Sequence, residues 1–437
     1  MKLLRIKDFE TKVLFKNSSW VLSGNIVRAI LGFLRGVIIA RGLGAELYGT
    51  FTIIAAFSGS VQQFFNFTFS STIIKFGANY ITQKDNIKLA ALIKGSVYFA
   101  GIVAILSTTT IAILTVFVYD VFLEKPGLQL FILLYAIVSS TMFIDSISNT
   151  LLRLFYKFKE NSIISITSTA LDVLIIGVVI FFKSNDFTYF FFALVTSRLI
   201  GSLILNGVTF SLIKNKIWSS IKTPLTVLNV DKKELFNFTI ANSGSRAIKT
   251  FINNGDVLLL GALLGPVPVA FYNIAKKLAY VILIFIDPLT TTIFPQLSIL
   301  ISDKKFADVK VLIRKITGIL IGPSLLFVFV IYFLREQAIL WTYGAEYLEA
   351  TKPFMLLTIN AVIGAVLFWN IPLILSLGLA KFRFVINLFA LIIGAAVAYY
   401  YIPIYGVNGA ALGLLCANGI VTLIFSFVAY SKLTVKN

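Results

Sequence analysis

Twelve stretches of roughly twenty apolar residues, divided by short charged connections, run through this chain of 437 residues. A helix crossing the hydrocarbon core of a bilayer needs about 20 predominantly apolar residues, so each stretch is long enough to span. They fall at 18–40, 48–72, 92–118, 129–152, 162–182, 187–212, 235–260, 269–298, 311–334, 353–378, 384–403 and 407–430. Hydrophobic residues make up 58% of the chain, a membrane composition. The expected fold class is an all-α polytopic membrane protein with twelve transmembrane helices.

Charge placement tests that count. With the N-terminus in the cytoplasm, the connections on the inside carry 26 Lys and Arg, and those on the outside carry 5. This is the asymmetry that the positive-inside rule requires, and it predicts that both termini are cytoplasmic. Most of the net charge of +19 lies in these cytoplasmic connections. Orientation and contact with anionic headgroups of the lipid bilayer explain it there, and no nucleic-acid partner is expected. The opening residues MKLLRIKDFETKVLFK read as a basic interfacial helix, with no small-residue cleavage site behind a short apolar core. Cys416 is the only cysteine, which excludes an internal disulfide.

The sequence also repeats itself weakly. LGAELYGTF at 43–51 aligns with LGPVPVAFY at 264–272, and Lys157, Phe158 and Lys159 align with Lys381, Phe382 and Arg383. The near-equal offsets predict two six-helix lobes related by a pseudo-two-fold axis along the membrane normal, with a cavity between them. The expected domains are an N-terminal lobe at 1–213 with its basic N-terminal segment, a basic cytoplasmic linker at 214–234, and a C-terminal lobe at 235–437.

One stretch conflicts with a lipid-facing helix. RAIKTFINNGDVLLLG, residues 246–261, sits in the seventh span yet carries Arg246, Lys249, Asn253 and Asp256, with Asn242 just before it. Spacings of three and four place these five side chains on one helix face. The corresponding face of the first span holds Asn25, Arg28 and Arg35. A charge at mid-membrane costs roughly 2.5–3.5 kcal/mol on insertion scales, so five of them facing lipid would cost on the order of 10 kcal/mol or more. They are expected to line the interior. With Lys94, Arg314 and Lys315 at the span ends counted among the cytoplasmic connections, the spans hold seven basic and four acidic residues, and a low-dielectric cavity with net positive charge attracts anions. Arg35 and Asp256 occupy equivalent places and are expected partners in gating or ion coupling. Lys276 and Lys277 stand where the first half has Ala55 and Ala56. Arg198 and Asp172 are candidates for a structural pair, while Asp145 and Asp287 are left out of the site.

These residues carry a family resemblance. ARGLGAELYG at 40–49, NNGDVLLLGALLGPVPVAFYNIAKKL at 253–278, FPQLS at 294–298 and YGVNGAALG at 405–413 resemble the polysaccharide transport family, over essentially the whole chain. That family contains the Wzx-type flippases of O-antigen and capsule repeat units. The larger MOP superfamily adds MATE-type multidrug exporters and lipid II flippases. The second copy departs from the first, with Val269 and Ala270 in place of Tyr48 and Gly49.

The resemblance implies MATE-like alternating access in a bacterial inner membrane. It implies a polyprenyl-pyrophosphate-linked oligosaccharide as substrate, with polysaccharide polymerase machinery as a candidate further partner. Arg28, Arg246, Lys249 and Lys276 are then the pyrophosphate-binding residues, because guanidinium and ammonium groups bind dense anions well in a dry setting. Arg35 and Asp256 gate or couple, and Asn25, Asn242 and Asn253 line the cavity. No cofactor or metal is expected; sodium or a proton is the candidate coupling ion. The chain contains no histidine, which removes His-dependent triads and zinc motifs, so the expectation is a transporter and not an enzyme. The alternatives are a cation-coupled multidrug exporter of the same fold and a membrane glycan polymerase or transferase.

Overall fold

The computed structural model describes residues 2–66, 69–122, 128–183, 186–217, 224–228 and 254–435. Regular structure among them is entirely helical. In the first half, α1 (Lys2–Phe65), α2 (Phe69–Thr82), α3 (Asn86–Phe122) and α4 (Leu128–Ser139) are followed by α5 (Met142–Leu154), α6 (Phe158–Phe182) and α7 (Phe187–Ile217). A second series begins with α8 (Asn254–Leu264). It continues through α9 (Pro266–Ala279), α10 (Val281–Ser302), α11 (Phe306–Thr342) and α12 (Thr351–Val366) to α13 (Asn370–Ser376), α14 (Ala380–Tyr405) and α15 (Val407–Val435).

Eight helical spans among the described residues are long and apolar enough to cross a membrane, and the last turns before α12 with α12 and α13, bent by 40°, make a ninth if they form one broken span. The first two expected spans share α1, which turns at Gly44 (φ 73°, ψ 172°) between two helices. Most of the seventh, 235–260, lies outside the described residues. Hydroxyls within these helices bond back one turn, as in Thr52 Oγ1 to the Tyr48 carbonyl (2.9 Å) and Ser96 Oγ to the Leu92 carbonyl (2.8 Å). These two hydroxyls are thereby satisfied inside their own helices, as an apolar setting favours. On α11 only 6% of the most apolar window is buried, which marks a face for lipid.

The duplication is legible in the backbone. Gly44 and Gly265, 221 residues apart, both take positive φ (73° and 80°), and each is followed by a fresh helix. Lys84 (φ 57°) and Lys304 (φ 58°) are 220 apart, and Tyr156 (φ 58°) is answered 222 residues on by Gly378 (φ 77°). Left-handed turns in non-glycine residues are uncommon, so their recurrence at nearly equal offsets reflects a repeated helix plan.

The helices form two compact units. One comprises residues 1–43, 58–120 and 124–247; the other comprises 44–57, 121–123 and 248–437. The segment 44–57 thus packs in the same unit as the second half of the chain. The reason is a backbone contact in that unit: a Cβ on Gly49 would lie 1.9 Å from the Pro266 carbonyl oxygen. The first unit's core is built on Ile73, Leu92, Val103, Ile147 and Leu151. In the second, Leu297, Val309, Ala365, Leu373 and Phe425 fill the equivalent role.

In the second unit, α14 and α15 meet backbone to backbone through small residues. A Cβ on Gly409 would lie 2.4 Å from the Tyr401 carbonyl carbon and oxygen, and one on Gly413 would lie 2.7 Å from the Gly394 oxygen. Small residues at such crossings give the close van der Waals packing that drives helix association in lipid. We expect Gly409→Ala to force these backbones apart, at a cost of about 1–3 kcal/mol typical of overpacking. Thermal unfolding of the purified protein should show a lowered transition for that variant. Gly419→Ala should not lower it, since nothing lies within 4 Å of a Cβ there and alanine is the better helix former.

Candidate functional site

In the first unit a cavity of about 330 Å³ opens among α1, α5, α6 and α7. Polar residues reach it at helical spacing from three of these elements. On α5 they are Asp145, Ser146 and Asn149; on α6 Ser165, Ser168, Thr169 and Asp172; on α7 Ser197, Arg198 and Ser202. Residues separated by three, four and seven positions share a helix face, so each helix presents a polar stripe there.

Two carboxylates anchor the cavity. Asp172 Oδ2 lies 2.7 Å from Arg35 Nε, a charge contact that is not an aligned hydrogen bond, and Oδ1 accepts from Ser197 Oγ. Asp145 Oδ1 accepts from Ser202 Oγ (2.6 Å) and Asn206 Nδ2 (2.9 Å). Asn206 Oδ1 in turn accepts from Ser148 Oγ at 2.6 Å.

Arg28 also lines this cavity. Its own helix supplies its contacts: Nε donates to the Gly24 carbonyl at 3.4 Å and a terminal nitrogen donates to Asn25 Oδ1. One turn earlier α1 approaches α6 closely, since a Cβ on Gly24 would stand 3.0 Å from Ser162, whose hydroxyl bonds the Trp20 carbonyl at 3.0 Å. That contact holds the Arg28 turn against the cavity wall. Among the described residues Arg28 has no carboxylate partner.

The second unit holds a different arrangement. Asp256, on α8, is buried, and three donors converge on its carboxylate: Lys276 Nζ at 2.6 Å, Tyr272 Oη at 2.5 Å and the Val257 amide at 2.8 Å. Lys276 and Tyr272 lie one turn apart on α9, so a single helix face supplies both side-chain donors. Beside them Lys277 Nζ and Asn273 Nδ2 donate to Tyr48 Oη at 2.9 and 3.0 Å, and Asn273 also reaches Thr52 Oγ1 at 3.2 Å. A cavity of about 370 Å³ is lined by Asn254, Asn273, Lys276, Lys277 and Tyr280. The Tyr280 hydroxyl accepts from Asn360 Nδ2 (2.8 Å), whose Oδ1 accepts from Asn418 Nδ2 (3.0 Å).

Within the first unit Arg35 contacts Asp172, and within the second Asp256 contacts Lys276. Asp172 is correspondingly engaged by Arg35 and Ser197, not by Arg198. The Lys276 ammonium is bound to a carboxylate, which weakens its expected role as a pyrophosphate ligand. Asn25 lies beside Arg28 as a hydrogen-bond acceptor. Asn242, Arg246, Lys249 and Asn253 lie outside the described residues. Asp145, excluded from the expected site, is central to the first unit's cavity. No cluster of three or more metal-ligating side chains occurs among the described residues.

Comparison with solved structures places the fold. An inward-facing multidrug-resistance MATE transporter of the MOP superfamily superimposes with a TM-score of 0.72 at 14% identity, over 95% of this chain and 98% of that one. A eukaryotic MATE transporter, AtDTX14, gives 0.64 at 14% identity over 95% of both chains. The bent form of VcmN from Vibrio cholerae gives 0.55 at 15%, over 98% of this chain and 97% of that one. At these identities the likeness establishes a multi-span, all-helical membrane protein with the MATE fold. By sequence, the inner membrane protein YghQ of Escherichia coli (strain K12) is 24% identical over 78 residues, covering 18% of this chain and 22% of that protein's length. The profile of the family described as polysaccharide biosynthesis protein matches residues 14–301, well over half the chain. The chain therefore belongs to the polysaccharide biosynthesis protein family.

Proposed function

We propose that the protein is a flippase that moves a polyprenyl-pyrophosphate-linked oligosaccharide, such as an O-antigen or capsule repeat unit, from the cytoplasmic to the outer leaflet of a bacterial inner membrane. The observation that carries this reading is Arg28: a guanidinium lining a polar cavity, held only by its own helix turn and lacking a carboxylate partner among the described residues. Unneutralised guanidinium in a partly dry setting binds phosphate oxygens strongly, and its planar fork can engage two at once. Membership of a polysaccharide biosynthesis family supports a glycan as the remainder of the cargo.

The carboxylates weigh against a cation exporter. Asp172 and Asp256 are each engaged by a basic side chain, so neither presents an open counter-charge to a cationic drug; Asp145, held by Ser202 and Asn206, is the one cavity carboxylate without a basic partner among the described residues. We assign Asp256 a coupling role in alternating access. A proton or sodium ion on its carboxylate would release Lys276, linking an ion gradient to the charge exposed in the second unit.

The test is transport in vesicles by purified protein, with polyprenyl pyrophosphate bearing a short oligosaccharide as cargo. The glycan should become accessible on the far leaflet at a rate that depends on the protein and on a sodium or proton gradient. Gradient-driven movement of an organic cation with no movement of the glycolipid would establish the exporter instead.

A further inference from the structure

The first unit's cavity carries more hydrogen-bonding capacity than its ion pair uses. Asp145 spends Oδ1 on Ser202 and Asn206, while Oδ2 accepts no hydrogen bond from the described residues. Asn149 donates Nδ2 to the Asp145 carbonyl at 2.8 Å, leaving its own oxygen as an acceptor. The Ser168 hydroxyl is shielded from solvent and has no partner among the described residues, an unusual state for a buried polar group. All three residues line the same space.

Part of the wall is apolar. Ile164 and Leu205 line it and belong to a small buried cluster with Leu152. Arg28 and Arg198 also line it. Carboxylate, amide and hydroxyl groups beside an apolar surface match a sugar ring, which offers hydroxyls around its rim and C–H groups on its faces. The volume of about 330 Å³ lies near the lower end of the ~300–1,000 Å³ typical of ligand pockets, so it suits one ring and not a chain of them.

We infer that this cavity is a sugar subsite for the ring bonded directly to the pyrophosphate. Only that ring can occupy the pocket while its phosphates stay within reach of guanidinium groups on the same wall. Asp145 Oδ2 and the Asn149 oxygen accept from ring hydroxyls, and Ser168 Oγ supplies a donor. Arg198 joins Arg28 on the phosphate side. The inference rests on the flippase reading and deepens it, because it makes the first sugar, rather than the distal ones, the part of the glycan that is read.

The experiment measures binding to the full-length protein in lipid nanodiscs, with three probes: bare polyprenyl pyrophosphate, the same lipid bearing one hexose, and the lipid bearing a disaccharide. Sites built to bond a hydroxyl discriminate strongly against ligands lacking it. Wild type should bind the hexosyl lipid at least about tenfold more tightly than the bare lipid, with no comparable gain from the second sugar. Asp145→Asn keeps the Oδ1 contacts but replaces the open acceptor with a donor. Ser168→Ala removes a hydroxyl that no protein group uses, so folding should be spared. Each should shrink the hexosyl preference; Ser168→Ala should leave bare-lipid affinity unchanged, and Asp145→Asn, which removes a negative charge beside the phosphate side, should not lower it. Equal affinity for bare and hexosyl lipid would overturn the subsite and leave the flippase reading standing. So would a gain that appears only with the disaccharide, or a loss in the variants that is equal for all three probes. Failure of wild type to bind any of the three would overturn the flippase reading itself.

Discussion

Asp256→Ala is expected to destabilise the protein by about 3–5 kcal/mol, the usual cost of removing one member of a buried ion pair. The substitution would leave the Lys276 ammonium, 12% exposed, without its carboxylate and the fully buried Tyr272 hydroxyl without its acceptor. Magnitudes decide which loss dominates. Hydrogen bonds between helices in lipid average only about 0.6 kcal/mol, so the loss of the carboxylate from the Lys276 ammonium supplies most of the penalty. The double variant Asp256→Ala/Lys276→Met removes the charge together with its partner and should recover most of the stability, as replacing a whole buried pair by apolar groups often does. Thermal unfolding of wild type, both single variants and the double closes the cycle and isolates the coupling. A single Asp256→Ala variant as stable as wild type would show that Lys276 finds water or another partner, and would remove the pair from the account. The coupling role is tested separately by Asp256→Asn, which should weaken the dependence of transport on the ion gradient.

Why some of this was legible in the sequence and some was not follows from the physics of each signal. Apolar length is a local property, so windows such as 162–182 and 384–403 emerge in the structure as α6 and α14 with only small changes at their ends. The alignment of Gly44 with Gly265 survives because a positive-φ turn before a new helix imposes a residue preference that repetition preserves. Ion-pair partners are another matter. Arg35 and Asp256 hold equivalent positions in the repeat, and that equivalence by itself names no partner for either. Arg35 meets Asp172 on α6, within its own unit.

The polar cavity escaped attention for a chemical reason. Counting charges finds Asp172 and Arg198 but passes over Ser165, Ser168 and Thr169, whose hydroxyls scarcely lower hydropathy. Their spacing with Asp172, at three, four and seven positions, was visible in the sequence. So was the parallel series Asp145, Ser146 and Asn149 on the preceding helix, α5. A search for periodic small polar residues within apolar spans would have found both stripes.

Arg28→Gln should abolish glycolipid export while leaving folding almost untouched, and this separation makes it the most informative single substitution. The side chain is exposed in the first unit and is bound only to Gly24 and Asn25 on its own helix. Its removal therefore strands no buried partner, and the stability change should stay within the roughly 0.5 kcal/mol typical of exposed positions. The like charge of Arg153 nearby gives the wild type a small electrostatic cost that the variant relieves. Substrate binding should respond very differently. A charge-assisted hydrogen bond contributes about 1.5–3 kcal/mol, so loss of the guanidinium should weaken binding of polyprenyl pyrophosphate about ten- to hundredfold. Arg28→Lys keeps the charge but gives up the planar fork, and should fall between the two. Binding to nanodisc-embedded protein, read beside a thermal melt of the same preparations, checks the ordering. If the glutamine variant binds the pyrophosphate lipid as tightly as wild type, the phosphate is held elsewhere, and the unneutralised guanidinium in the first unit has no part in capturing the cargo.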